Sequence, residues 1–173
     1  MLLAFTGNGK GKTTAALGNA LRLLGAGKQA IMIQFIKGTW DSGEHNSALR
    51  LAPDFKIIKT GKGFVGILGD NLTIDEHRDA AEMGILTARK EIAHGKYHLL
   101  ILDEIHNAIA LGLIPLSYVM AFLDYAKDKV EYTITTGRDA PKEIIDRADL
   151  VTEMLEIKHP YQKGIKATKD LDF

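Results

Sequence analysis

The chain has no cysteine among its 173 residues, so it can hold no disulfide, no thiolate-bound metal and no cysteine nucleophile. It also lacks an excess of charge: 22 basic and 22 acidic side chains give a formal net charge of zero. A broad nucleic-acid surface needs a basic surplus, so no nucleic-acid partner is expected. No stretch reaches the roughly 18 apolar residues of a membrane span, so no membrane association is expected either. The opening "MLLAFTGNGK" has no basic segment and no small-residue cleavage site. That predicts no secretory leader and a cytoplasmic protein. Repeats, linkers and low-complexity stretches are also missing.

What is there is ordinary globular material. Hydrophobic residues make up 46% and charged residues 25%. A chain of this length can bury roughly 70% of its unfolded surface. One domain over residues 1–173 is expected.

Apolar runs alternate with helical patterns. Leu2–Phe5 reads as a buried strand closed by "TGNG", and Thr13 to Leu24 as a helix ended by Gly25 and Gly27. Ala30–Ile36, "FKIIKT", "HLLILDE", "YTITTGR" and "LVTEMLEI" read as further strands, about six in all. Between them, a short helix is expected near Ser47–Leu51. Thr73 to Glu76 form a capping box opening a long helix to about Ala93. Pro115 opens another to about Lys127, and "PKEIIDRAD" a short one. The tail from Lys158 has no clear periodicity. This order predicts an α/β fold: a mostly parallel sheet with helices on both faces. Ligands then sit at the carboxyl ends of the strands. Thr6–Thr14, Gln34–Gly43, the loop after Thr60, Asp103–Glu104 and Gly137–Arg138 should meet there.

The strongest motif is "FTGNGKGKTT". A phosphate-binding loop is usually G-x-x-x-x-G-K-[ST]. Here Thr6 stands where the first glycine belongs, and Gly7 comes one residue late. Gly7, Asn8, Gly9, Lys10, Gly11, Lys12, Thr13 and Thr14 are the candidate nucleotide-binding residues. Gly7, Gly9 and Gly11 let backbone approach phosphate, Lys12 adds a point charge, and the Thr13 hydroxyl can join a magnesium shell. Lys10 reads equally as a phosphate ligand or a solvated side chain. The second half of the site is "LLILDE", an apolar strand ending in Asp103 and Glu104. Either acid could hold magnesium, or manganese, directly or through water. Glu104 is the one candidate general base.

Several longer stretches are more particular: "TGNGKGKTTAALGNALR", "QFIKGTWDSGE", "LDEIHNAI", "TGRDAPKEIIDRADLVTEM" and "IKHPYQKGIKA". In this order, over nearly the whole chain, they resemble the P-loop class of ATP:cob(I)alamin (corrinoid) adenosyltransferases. That family also writes the short loop G-N-G-K-G-K-T. The resemblance implies a RecA-like P-loop fold and transfer of the 5′-deoxyadenosyl group of ATP to reduced cobalt, with tripolyphosphate released. It implies a nucleotide lying reversed in the loop, with Asn8 to Thr14 on the triphosphate and Thr13 and Glu104 on magnesium. A homodimer and a flavoprotein electron donor are also implied. Phe64 in "GKGFVG" matches the aromatic of the family's G-F-T-W, which expels the lower ligand of the corrinoid. Gly66 replaces the family tryptophan, and Trp40 lies in another loop. The covering arm that many relatives carry before the first strand is not seen ahead of Leu2. Lys12, Phe64 and Arg138 are the expected catalytic residues, with Arg138 reading equally as a surface ion pair.

The six histidines, His45, His77, His94, His98, His106 and His159, show no metal-ligand spacing and read mostly as surface or strand-end residues. His159, in "KHP", could line the site. No D-x-H-x-x-G segment is present. Two other classes fit the loop: a P-loop ATPase or small-molecule kinase using Glu104, and a nucleotide-binding regulator that has lost corrinoid binding.

Overall fold

A computed structural model describes residues 1–38, 42–67, 69–165, 167–168 and 171. Trp40 lies outside the described residues. Six strands form one sheet: β1 (Leu2–Thr6), β2 (Ala30–Gln34), β3 (Phe55–Lys59), β4 (Leu99–Asp103), β5 (Tyr132–Thr136) and β6 (Leu150–Glu153). Their order is β3-β2-β4-β5-β1-β6, and every pairing is parallel.

The central strands are apolar throughout because both faces are covered. Successive side chains point to opposite faces, so one strand feeds two cores. Ile31, Ile33, Leu100 and Leu102 pack with α3 (Ile74–Ile92), α4 (Ile105–Ala110) and α5 (Leu116–Lys127). Ala30, Met32, Leu99 and Ile101 pack with α1 (Lys12–Gly25) and α2 (Gly43–Arg50). A short α6 (Lys142–Arg147) precedes the edge strand β6, whose residues are all exposed. A 3₁₀ turn covers Pro160–Lys163. None of the described helices is long and apolar enough to cross a membrane.

Most expected elements are present. The Thr73–Glu76 capping box starts α3, with the Glu76 N–H donating to Thr73 Oγ1 at 3.3 Å and Thr73 N–H to Glu76 Oε2 at 2.8 Å. Two expectations shift. The helix placed near Ser47 begins four residues earlier, because the Ser42 N–H donates to His45 Nδ1 at 3.2 Å and closes its first turn. Helix α4 was not foreseen: it starts directly after Glu104, without a capping side chain.

Gly84 shows how tightly α3 lies on the sheet. A Cβ there would fall 2.6 Å from the Phe35 ring and 2.7 Å from Thr60 Oγ1. Phe35 is itself 2% exposed and cannot move aside. We expect Gly84→Ala to destabilise the protein by about 1–3 kcal/mol, the ordinary cost of overpacking a core. The midpoint of urea denaturation measures it.

Candidate functional site

Parallel pairing brings the carboxyl ends of all six strands to one rim. Thr6, at the position of the usual first glycine, is still in β1 and pairs with Glu153 of β6. The loop therefore opens at Gly7, whose φ of 93° only glycine adopts easily.

The glycines also have a neighbour behind them. A Cβ on Gly9 would sit 2.7 Å from the Leu155 carbonyl carbon, and one on Gly7 would sit 2.9 Å from Met154 N. The Gly9 N–H donates to Met154 O at 2.7 Å, and the Met154 N–H to Thr6 O at 2.8 Å. The chain leaving β6 thus lies against the rear of the loop. Close approach to phosphate was the reason expected for these glycines; at Gly7 and Gly9 the close approach seen is to protein backbone.

Lys12 bridges the loop, its Nζ donating to Gly7 O and Gly9 O at 2.7 Å each. Burial, and then the nearby Arg138 charge, lower its pKa, while Glu104 and Asp103 oppose them. Gly11 supplies no side-chain cap to α1, and the first turn holds no acid. The N–H groups at this helix start are left for a ligand, and the helix dipole favours an anion there. The Thr14 hydroxyl turns back to Gly11 O at 3.0 Å. Lys10 Nζ reaches Leu171 O at 3.1 Å.

Asp103 is fully buried. Its Oδ1 accepts from Thr13 Oγ1 at 2.9 Å and Thr136 Oγ1 at 2.7 Å, and its Oδ2 accepts from Gln34 Nε2 at 3.2 Å. Burial raises the Asp103 pKa, and the Thr136 and Thr13 hydroxyls oppose this. Because Thr13 gives its proton to Asp103, its lone pairs remain for a hard cation. Glu104 follows in a left-handed conformation, φ 62°, held by its N–H donating to Thr136 Oγ1 at 2.9 Å. Burial first, and the Asp103 charge second, raise its carboxyl to about 7.

The network extends into the next loop. His45 Nε2 lies 2.8 Å from Gln34 Oε1. Glu44 pairs with Lys37. Burial pushes Glu44 up, but Lys37, Ser42 and its own N–H outweigh this and hold it at about 2. On the other side, the Arg138 N–H donates to Asn107 Oδ1 at 3.0 Å. Arg138 is exposed and, among the described residues, has no ion pair. Phe64 stands 54% exposed rather than folded into the core.

Two histidine expectations are corrected. His77 is 3% exposed and His106 fully buried. His106 is held neutral, its pKa lowered to about 4 by burial despite a contact with Gly137 O. His159 is half-buried ahead of the 3₁₀ turn. Among the described residues no three His, Asp or Glu side chains group as a metal site. Thr13, Asp103 and Glu104 offer only oxygen donors. That fits magnesium, which takes one or two protein ligands and fills its shell with water and phosphate. Gln34 was expected only as the start of a rim segment, and His45, Asn107 and Thr136 were not foreseen as site residues. Gln34 carried one signal, a polar residue closing an apolar strand.

A buried-edge carboxylate, a lysine-bridged loop and a free helix start on a parallel sheet define a P-loop nucleotide-binding protein. The fold is similar to the flagellar accessory protein FlaH from Methanocaldococcus jannaschii, with a TM-score of 0.57 over 88% of this chain and 69% of that one, at 14% identity. The family model for ATP:corrinoid adenosyltransferase BtuR/CobO/CobP matches residues 1–173. The chain is 34% identical over 173 residues to the corrinoid adenosyltransferase of Escherichia coli (strain K12), covering all of this chain and 85% of that protein. It is 35% identical over 175 residues to that of Pseudomonas aeruginosa, covering all of this chain and 83% of the relative. The chain belongs to the ATP:corrinoid adenosyltransferase family.

Glu104 should leave a mark on stability in metal-free protein. Its ordinary value is 4.5 and its folded value about 7. Between those pH values the folded state keeps a proton that the unfolded chain has lost, so stability falls as pH rises through this window. Glu104→Gln should remove about 1–3 kcal/mol of that decline. Urea titrations at pH 5 and pH 8 measure it; equal declines in both proteins would remove Glu104 as its source.

Proposed function

We propose that this protein transfers the 5′-deoxyadenosyl group of ATP to the reduced cobalt of a corrinoid and releases tripolyphosphate. The observation that carries the reading is the family match over residues 1–173, in a chain whose loop opens at Gly7 rather than at Thr6. The reduced cobalt of the substrate is itself the nucleophile and attacks C5′, breaking the C5′–O bond. The protein's work is then to position two substrates and to take up charge on the leaving group. The N–H groups of Asn8 and Lys10 to Thr14, with the Lys12 ammonium, face that charge. To do so, Lys12 exchanges its Gly7 and Gly9 carbonyls for phosphate oxygens. Arg138, positioned by Asn107, adds a second cation. Thr13 and Glu104 would hold magnesium, with Asp103 orienting the Thr13 hydroxyl. That ion supplies further neutralisation of the triphosphate when bound. Phe64 faces the corrinoid and displaces its lower ligand. The nucleotide lies reversed, with its terminal phosphate deep in the loop. We further propose a cytoplasmic homodimer supplied with electrons by a flavoprotein.

Products decide the reading. With ATP, magnesium and chemically reduced cobalamin, the protein should yield tripolyphosphate and a light-sensitive alkylcobalamin spectrum. Corrinoid-independent ADP and phosphate would instead make it an ATPase. Lys12→Ala should weaken ATP binding about 10²-fold or more, the scale of losing a charge-stabilising group. Calorimetry measures this, and unchanged affinity would refute the loop's role. Phe64→Ala should slow reaction from Co(II) corrinoid far more than from pre-formed Co(I). Equal losses would take Phe64 out of ligand displacement.

A further inference from the structure

The loop after β3 turns at Gly66, and the structure shows what holds that turn. Gly66 has φ 68°, the left-handed region. Among the described residues a Cβ there would meet nothing within 4 Å, so space among them would admit a larger residue. The backbone disfavours one, because a tryptophan at this φ is strained. What holds the backbone there is Asp70. Its Oδ2 accepts from the Gly66 N–H at 2.8 Å, and its Oδ1 from the Leu72 N–H at 3.0 Å. The Asp70 N–H in turn donates to Ile67 O at 2.9 Å.

The carboxylate is itself anchored. His77, in the first turn and a half of α3, places Nε2 at 3.2 and 3.1 Å from the two Asp70 oxygens. A carboxylate only accepts, so Nε2 carries the hydrogen. The two side chains are 3% and 8% exposed. The Gly66 N–H and then the Leu72 N–H keep the Asp70 carboxyl ionised below its ordinary range. A buried carboxylate with several hydrogen-bond donors is a rigid unit.

Two large apolar side chains of this loop stand outside the core. Ile67 is 55% exposed and Phe64 54% exposed, and both belong to the loop that Asp70 closes. Large apolar side chains on a pinned glycine-rich loop are preorganised for contact, since their ordering cost is met before a ligand arrives.

We infer that Asp70 and His77 are positioning residues that hold Phe64 and Ile67 as a preformed apolar platform for the corrinoid. This inference rests on the reading of the chain as a corrinoid adenosyltransferase. It adds Ile67 as a substrate contact and assigns the Gly66 turn to the Asp70–His77 clasp.

The experiment compares wild type with Ile67→Ser, Asp70→Ala, His77→Ala and His77→Gln, in full-length protein. Steady-state rates are taken with cobalamin varied at saturating ATP and with ATP varied at saturating cobalamin. Ile67→Ser changes an exposed side chain and should fold normally. It should raise KM for cobalamin about fivefold or more and leave KM for ATP within twofold. Asp70→Ala and His77→Ala should do the same and should also slow reaction from Co(II) relative to Co(I). His77→Gln, which keeps a donor near the Nε2 position, should recover most of the cobalamin affinity lost in His77→Ala. A cobalamin KM unchanged in Ile67→Ser and in Asp70→Ala would overturn the platform. So would equal rises in both KM values, which mark general damage to the fold. Failure of the function itself looks different. Wild type would then give no alkylcobalamin, and equilibrium dialysis with cob(II)alamin becomes the readout. Weaker binding by Ile67→Ser than by wild type supports the platform, and equal binding overturns it.

Discussion

One carboxylate organises the site. Asp103 sits wholly inside the protein, where an isolated charge would be costly. Three donors make its burial tolerable: Thr13 from the start of α1, Thr136 from the end of β5 and Gln34 from the end of β2. Each donor comes from a different element, so satisfying one buried group draws those elements into register. Thr136 serves twice, because its oxygen also receives the Glu104 N–H and holds that residue in a left-handed turn. A phosphate loop alone is a flexible string of glycines. Tied through Thr13 to a buried acid, it acquires a fixed position relative to the sheet.

The second consequence is reach. Gln34 contacts Asp103 with its amide nitrogen and His45 with its amide oxygen. Asp103 and α2 are therefore separated by one side chain. The loop after β2 and the phosphate loop share a hydrogen-bond network rather than merely a rim. The loop after β3 is shaped separately, by Asp70 and His77. Two polar clusters, each centred on an aspartate, arrange the two halves of the rim.

The sheet was legible because its signal is local. "AIMIQ" and "LLILD" are apolar in unbroken runs, which is what burial on both faces demands. Gly11-Lys12-Thr13 and the acids after β4 were equally plain, since each motif lies within a few residues. The short helix α4 was missed because Glu104 enters it from a left-handed turn, with no capping residue to announce it. His77 and His106 were misjudged as surface groups because nothing in their own neighbourhoods shows what buries them. Asn107 and Thr136 act on backbone or side chains that come near only after folding. Their sequence contexts are those of ordinary loop and strand residues.

The loop between Gly7 and Gly11 is walled at its rear by a segment far from it in sequence. Gly9 gives its N–H to Met154, and β1 is flanked by β5 and β6, both from the final third of the chain. The nucleotide motif is held in shape only once these long-range contacts close. The most local signal in the sequence is held by contacts that are far from local.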